Sequence, residues 1–210
     1  MVDMKRGRFI VLEGIDGCGK STQLALLAER LRGEGREVAL TAEPTASASG
    51  KMLREALGGA DKRTACEMAA LFLLDRIYHN VSEGGIEEML NKGIDVICDR
   101  YYYSSLAYQG SETDFEWVRA MNLNCPEIRR PDLCIFLDLE PSVSLERIAA
   151  SRTSTEIYEK KELLERFRAR FLSVFELLKE TDRVAIIDAS QSIDEVAEDV
   201  YAAAKGIFEE

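Results

Sequence analysis

The sequence predicts an α/β fold in which helices flank a five-stranded parallel sheet. Two observations carry this prediction. Five short segments rich in Val, Ile, Leu and Phe are apolar at successive positions, which is typical of parallel strands buried on both faces. Longer segments with helical spacing separate them, and such alternation of strand and helix is typical of α/β domains. The predicted strands are residues 8–13, 37–41, 94–98, 133–139 and 183–188.

Local signals mark where several helices begin and end. The first helix follows a glycine-rich turn and ends at Gly33, because glycine commonly terminates helices. An apolar stripe with three-to-four spacing predicts a later helix from 162 to 178. Two of the predicted N-caps are followed three residues later by Glu, which is the capping-box pattern. The N-caps are Thr64, Asp114, Ser142 and Ser192, and the capping boxes start at Thr64 and Ser192.

Length, charge and composition limit the possible functions. The 210 residues fit one domain, 1–210, and carry 27 Lys and Arg against 38 Asp and Glu, a formal net charge of −11. This acidity argues against a surface that coats nucleic acid or anionic lipid. The apolar runs are far shorter than the about 18 residues of a membrane span. The first run, residues 9–12, is also too short for the apolar core of a signal peptide. We therefore expect a cytoplasmic protein with no membrane or polymeric nucleic acid partner and five reduced cysteines.

The turn after the first strand carries a nucleotide-binding pattern. Residues 14–21 read GIDGCGKS, the complete G-x-x-x-x-G-K-S phosphate-binding loop. Its backbone N–H groups would surround phosphate, Lys20 would bridge the β- and γ-phosphates, and the Ser21 hydroxyl would bind Mg²⁺. This predicts an ATP or GTP site in a three-layer P-loop NTPase fold with strand order 2-3-1-4-5. The predicted nucleotide-binding residues of this segment are Gly14, Ile15, Asp16, Gly17, Cys18, Gly19, Lys20, Ser21 and Thr22.

An acidic residue, Asp99, ends the third predicted strand. P-loop proteins place a carboxylate at the end of a strand beside the P-loop strand, where it holds Mg²⁺ and its water shell. We therefore expect Ser21 and Asp99 to form the metal site. The alternative is that Asp99 and Arg100 form only a strand-end turn with a local ion pair.

The P-loop alone does not separate kinases from GTPases or motors. A GTPase needs an N-K-x-D segment to read its base, and the only Asn-Lys pair, Asn91-Lys92, is followed by Gly93-Ile94. The length, the single domain and the helix-rich region between strands two and three favour a small-molecule kinase.

Further segments, in order along the chain, form a recognisable set. They are FIVLEGIDG at 9–17, EP at 43–44, ALFLLDR at 70–76, DRY at 99–101 with SS at 104–105 and AYQ at 107–109, and PDL at 131–133. Together these segments resemble the thymidylate kinase family. The resemblance implies transfer of the γ-phosphoryl group of ATP to dTMP, giving dTDP and ADP for dTTP biosynthesis, with Mg²⁺ and as a homodimer. The alternatives are a broader nucleoside-monophosphate kinase and a P-loop binding protein without activity.

The resemblance also implies how the base is recognised. An aromatic ring, Phe72, would stack on thymine, and Arg76, four residues later on the same helix face, would reach its O4 atom. An arginine donor fits the thymine carbonyl but meets the amino group of cytosine, which leaves a buried donor unpaired. Without the resemblance, Phe72 would be read as a core residue and Arg76 as a surface cation.

The remaining substrate contacts are implied in the same way. Arg100 would clamp the acceptor phosphate, for which a bidentate guanidinium is suited. Tyr108 would pack under the deoxyribose, Ser104 and Ser105 would reach the base edge, and Asp16 would lie near the 3′-OH and the metal.

One substrate loop departs from the family pattern. Glu43 and Pro44 follow the second strand, but the preceding residue is Ala42 where many relatives have arginine, and glycines do not follow. Arg54 is either a dTMP contact or a solvated helix cation. His79, the only histidine, is expected at the surface or at an interface.

A basic segment at 147–160 is expected to form a lid over the triphosphate. Between 147 and 170 seven Lys and Arg stand against four Glu, and the residues between Gly14 and Gly19 include no cation that could contact the transferring phosphoryl group. The family that this chain resembles supplies that cation either from the P-loop or from the lid, so the resemblance makes Arg152 the first choice, with Arg147 as second choice or stacked on adenine. The resemblance also implies that Tyr158 would approach dTMP. The other cations are expected to form a solvated helix face paired with Glu: Lys160, Lys161, Arg166, Arg168 and Arg170. The predicted catalytic residues are Asp16, Lys20, Arg100 and Arg152.

Overall fold

The computed structural model describes residues 6–151 and 157–209, without the side chains of residues 150–151 and 157–160. Its five strands form one parallel sheet with the order β2-β3-β1-β4-β5. The strands are β1 Phe9–Glu13, β2 Val38–Ala42, β3 Asp95–Asp99, β4 Leu133–Asp138 and β5 Val184–Asp188. The predicted strand order is confirmed, and each predicted strand end lies within one residue of the observed one.

Ten helices surround the sheet in the described part of the chain. They are α1 Lys20–Gly33, α2 Ala48–Leu57, α3 Ala65–Val81, α4 Ile86–Asn91, α5 Tyr102–Ala107, α6 Gln109–Glu112, α7 Phe115–Leu123, α8 Pro141–Ser151, α9 Ile157–Leu178 and α10 Ile193–Phe208. None of these helices is long and apolar enough to cross a membrane.

Most of the predicted helix boundaries are confirmed. Thr64 and Ser192 form complete capping boxes, and Asp114 accepts from the N–H of Trp117 at 2.7 Å. The N-cap predicted at Ser142 is wrong, because α8 already begins at Pro141, whose fixed φ suits the first helical position. Ser142 therefore lies in the first turn of the helix.

Strand β1 lies at the centre of the core. All five of its residues are buried, and the side chains of the first four alternate between two apolar layers. Phe9 and Val11 contact the layer that includes α5 and α9, whereas Ile10 and Leu12 contact the layer that includes α1 and α10. The predicted three-layer arrangement follows, and it fixes the carboxyl end of β1 between the ends of β3 and β4.

A buried carboxylate, Asp75 of α3, holds the loop after β2. Asp75 accepts from the backbone N–H and hydroxyl of Thr45 at 2.8 and 2.6 Å, and from the hydroxyls of Ser49 and Ser47 at 2.7 and 3.0 Å. Burial alone would raise the pKa of Asp75, but these hydrogen bonds outweigh it and lower the pKa below its usual 3.8. The loop that carries Glu43 and Pro44 is therefore fastened to α3.

We expect Asp75→Asn to lower the free energy of unfolding by about 1–3 kcal/mol at pH 7, because an amide has only one acceptor oxygen and cannot accept from both the Thr45 N–H and the three hydroxyls. The folded-state pKa of Asp75 is depressed, so its stabilisation is complete above the usual value of 3.8 and is lost as the pH falls through the folded pKa. Urea unfolding should therefore show a difference between wild type and variant that narrows below about pH 4.

The matched control is Glu29→Gln, which changes an exposed carboxylate of α1 and should leave the unfolding free energy near that of wild type. A variant Asp75→Asn as stable as wild type at pH 7, or a difference that stays constant into acid, would contradict this role of Asp75.

Candidate active site

The glycine-rich loop forms a cradle at the start of α1. Gly14 has φ +151, and a Cβ there would lie 2.5 Å from Sγ of Cys18. Gly19 has φ +99, and no described atom lies within 4 Å of where its Cβ would be. Backbone N–H groups at a helix N-terminus beside open space suit an anion. The loop therefore fits the predicted triphosphate.

Lys20 lies inside this cradle. Its side chain is 7% exposed, and Nζ donates to the carbonyl oxygens of Gly14 at 2.9 Å and Ile15 at 3.2 Å. None of the ion pairs among the described residues includes Lys20. Nζ also lies 3.8 Å from Sγ of Cys18. A buried ammonium held by neutral groups would gain strongly from a phosphate oxygen.

Glu13, directly before the loop, joins β1 to the turn after β3. Its Oε1 accepts from the N–H groups of Tyr101 and Ser104 at 2.8 and 3.1 Å, and its Oε2 accepts from the hydroxyl of Ser104 at 2.8 Å. Complete burial raises the pKa of Glu13, against the smaller opposing effect of nearby Arg100. Sequence reasoning gave Glu13 no role, although an acid within a buried apolar strand is a usable signal.

Arg100 lies in the turn after β3 and contacts the P-loop. Its own φ is +67, which is uncommon for a residue other than glycine. Its Nη2 donates to Oδ1 of Asp16 at 2.5 Å, and its Nη1 donates to the hydroxyls of Ser104 and Tyr108, each at 3.2 Å. Burial raises the pKa of Tyr108 to about 12, so this hydroxyl stays protonated. Four predicted site residues thus meet here: Asp16, Arg100, Ser104 and Tyr108.

Asp99 fits the predicted metal ligand. It ends β3 opposite Leu12, and its Oδ1 is buried without a hydrogen-bond partner among the described residues. The alternative of a local ion pair with Arg100 is wrong, because Arg100 pairs with Asp16. A buried carboxylate oxygen without a partner is suited to a hard cation, and Ser21 presents an exposed hydroxyl in the first turn of α1.

Arg76 is buried, not a surface cation. Its side chain is 1% exposed, and Nε and Nη2 donate to Oε2 of Glu43 at 2.9 and 2.6 Å. Nη1 donates to the hydroxyl of Ser105 at 3.2 Å and to Oδ1 of Asn122. Sequence reasoning missed Asn122, a buried residue of α7 with no local signal for this contact.

Phe72 lies one helical turn before Arg76. It is half-buried and belongs to neither of the two apolar core layers. The interpretation of Phe72 as a core residue is therefore not supported. A half-buried ring beside a buried arginine suits recognition of a planar base.

His79 is buried, contrary to the expectation of a surface or interface residue. Its side chain is 7% exposed, Nδ1 lies 3.1 Å from Oε1 of Glu43, and Nε2 lies 2.6 Å from Oγ1 of Thr41. The physical reason is helical spacing: positions 72, 76 and 79 share one face of α3, and this face is turned toward the site. Arg54, in contrast, is exposed and donates to the carbonyl oxygens of Pro44 at 3.1 Å and Thr45 at 2.5 Å.

The basic segment is described only in part. Arg147 is exposed on α8 and donates to the carbonyl oxygen of Ala189 at 3.0 Å, beside the loop after β5. Arg152 and the side chains of Tyr158 and Lys160 lie outside the described residues.

The expectation of a solvated face for the α9 cations is wrong at two positions. Arg168 pairs bidentately with Asp138 of β4 at 2.6 and 2.9 Å instead of with Glu of its own helix. Arg170 lies over the ring of Phe115, 4.4 Å from its centroid. Lys161 does pair with Glu of its own helix, as expected. Arg168 thereby fastens the helix that follows the basic segment to the end of β4.

Comparison with known proteins agrees with this geometry. The sequence profile described as thymidylate kinase matches residues 12–200. The chain is 42% identical over 206 residues to a probable thymidylate kinase of Pyrococcus horikoshii, covering 95% of this chain and 97% of that protein. It is 40% identical over 203 residues to a probable thymidylate kinase of Thermococcus gammatolerans, covering 92% of this chain and 94% of that protein. It is 35% identical over 209 residues to the thymidylate kinase of Desulfotalea psychrophila, covering 96% of each chain. The chain therefore belongs to the thymidylate kinase family.

Proposed function

We propose that the protein transfers the γ-phosphoryl group of ATP to dTMP, giving dTDP and ADP in dTTP biosynthesis. One observation carries this proposal. Arg100, the predicted acceptor-phosphate residue, pairs with Asp16 of the P-loop, and its Nη1 lies 3.5 Å from the carbonyl oxygen of Gly14. A phosphate held by Arg100 would thus lie next to a triphosphate held by the P-loop, as transfer between them requires.

ATP would bind along residues 14–22. Lys20 would exchange the carbonyl oxygens of Gly14 and Ile15 for oxygens of the β- and γ-phosphates. Arg147, held at Ala189, would lie beside adenine. Positioning and charge stabilisation account for the chemistry, because phosphoryl transfer needs no covalent intermediate with the protein.

Mg²⁺ would be held by the hydroxyl of Ser21 and by Asp99, whose Oδ1 has no partner within the described part of the chain and so supports this assignment. Bound there, the ion would neutralise charge on the phosphates.

dTMP would lie between α3 and α5. Phe72 would stack on thymine, while Arg76 would donate to its O4 atom beside Ser105. Tyr108 would pack under the deoxyribose and Arg100 would bind the phosphate, with Ser104 holding both Arg100 and Glu13. The loop at Glu43 and Pro44, with Arg54 and, from the lid, Tyr158, would close the remaining side of dTMP.

We also propose an oligomeric state, a cellular location and a domain organisation. Three exposed apolar residues of α3, Leu74, Tyr78 and Val81, follow helical spacing and are 54%, 52% and 50% exposed, which supports a homodimer through this helix. The five free thiols support a cytoplasmic location, and the net charge of −11 supports the lack of a polymeric nucleic acid or membrane partner. Residues 1–210 would act as one nucleotide-kinase domain.

We expect ADP release with ATP, Mg²⁺ and a panel of dTMP, dUMP, dCMP, dGMP and UMP to be fastest with dTMP. The methyl group is sensed by apolar packing, so dUMP should lose roughly tenfold in kcat/KM, whereas dCMP, which leaves a buried donor unpaired, should lose roughly 10⁴-fold. Equal rates with dCMP would favour the broader kinase, and nucleotide binding without turnover of any monophosphate would favour an inactive binding protein.

Lys20→Ala should lower kcat by about two orders of magnitude or more with an unchanged circular dichroism spectrum.

We expect Arg152→Ala to lower kcat by about two orders of magnitude, because a cation that contacts the transferring phosphoryl group stabilises the transition state. Arg166→Ala is the matched control, since Arg166 is an exposed cation of α9 and should keep the kcat of wild type. Steady-state kinetics at saturating ATP and dTMP measure both variants. Normal turnover by Arg152→Ala would mean that the lid assignment is wrong.

A further inference from the structure

The carboxylate of Glu43 divides its two oxygens between different partners. Oε2 accepts both Nε and Nη2 of Arg76, at 2.9 and 2.6 Å. Oε1 lies 3.1 Å from Nδ1 of His79. All three side chains are at most 7% exposed, so water does not compete for these groups.

This arrangement differs from the usual pairing of arginine with a carboxylate. In the usual geometry two parallel N–H groups donate to two separate oxygens. Here Nε and Nη2 of Arg76 both donate to Oε2, while Nδ1 of His79 lies 3.1 Å from Oε1. Two donors on one oxygen restrict the orientation of the guanidinium and with it the direction of the remaining nitrogen, Nη1. Nη1 points to Ser105 and Asn122.

His79 is itself held at both ring nitrogens. Nε2 lies 2.6 Å from Oγ1 of Thr41, on β2. A neutral imidazole has one N–H donor and one acceptor nitrogen, so Nδ1–H can donate to Glu43 while the Thr41 hydroxyl donates to Nε2. The ring therefore links β2 to Glu43 through a continuous chain of hydrogen bonds.

We propose that His79 is a positioning residue for dTMP. It holds Oε1 of Glu43, so that Arg76 pairs with Oε2 alone and keeps Nη1 on the side where Ser105 and the base edge lie. The inference rests on the proposed function, because it takes Arg76 as the residue that reads thymine. His79 does not touch the substrate and acts through Glu43.

Removing the imidazole has a defined consequence. Oε1 of Glu43 would become a buried acceptor without a partner, which is unfavourable. The carboxylate can recover a partner by rotating into the paired geometry with Arg76, which moves Nη1 away from Ser105. The affinity for dTMP and the preference for dTMP over dCMP would both decrease. The P-loop, on the other side of Arg100, would keep its geometry.

Three variants separate this role from simple packing. His79→Gln supplies an amide N–H for Glu43 and a carbonyl oxygen for Thr41, and should keep KM for dTMP within about threefold of wild type. His79→Leu fills similar space without hydrogen bonds, and should raise KM for dTMP by about tenfold or more and reduce the preference for dTMP over dCMP. Thr41→Val, which removes only the hydroxyl, should raise KM for dTMP in the same direction by a smaller factor. For all three, KM for ATP should stay within about threefold.

Steady-state kinetics with each substrate varied in turn, alongside thermal unfolding, give the readout. If His79→Leu fails to fold, the comparison of Thr41→Val with wild type decides, and an unchanged KM for dTMP overturns the inference. Equal KM values for dTMP in the Leu and Gln variants, or a parallel rise in KM for ATP, also overturn it. A wild-type protein that does not phosphorylate dTMP would instead refute the proposed function on which the inference rests.

Discussion

The buried carboxylate of Glu13 is the constraint on which the active site depends. Glu13 is the last residue of β1 and directly precedes the P-loop, and it accepts the N–H groups of Tyr101 and Ser104. The turn that carries Arg100 is therefore tied to the strand that carries the triphosphate loop. Any displacement of one phosphate site would move the other, which suits a reaction whose rate depends on the alignment of two phosphates.

Other acidic residues also lie along the carboxyl edge of the sheet, where the strands end. Glu43 after β2 holds Arg76, and Asp138 at the end of β4 holds Arg168. Oδ1 of Asp99, at the end of β3, has no hydrogen-bond partner among the described residues. Each acid fixes a cation or leaves a place for one at the edge where α/β proteins bind ligands. The net charge of −11 conceals this pattern, because a sum over the whole chain does not show where its 27 Lys and Arg lie.

The features that depend on local sequence were predictable. Continuous apolar runs and the glycine spacing predicted the strands and the P-loop, because burial of parallel strands and the turn at Gly14 leave direct traces in neighbouring residues. The strand order was predicted from the P-loop NTPase fold that this loop indicates. Contacts between distant residues that no recognised motif covers were not predictable. His79 and Glu43 are 36 positions apart, and Arg168 and Asp138 are 30 apart, so neither pair has a local signal. The burial of His79 could still have been inferred from its helical spacing with Phe72 and Arg76.

The substitution Glu13→Met tests most directly whether this carboxylate aligns the two phosphate sites. The thioether keeps about the length of the side chain but leaves the N–H groups of Tyr101 and Ser104 without the oxygen to which both donate. We expect kcat for dTMP phosphorylation to fall by about 10²-fold, while calorimetric Kd values for ATP and for dTMP measured separately change by less than about threefold. An unchanged kcat, or a loss of kcat fully matched by weaker binding of either nucleotide, would contradict the claim that Glu13 aligns the two phosphate sites.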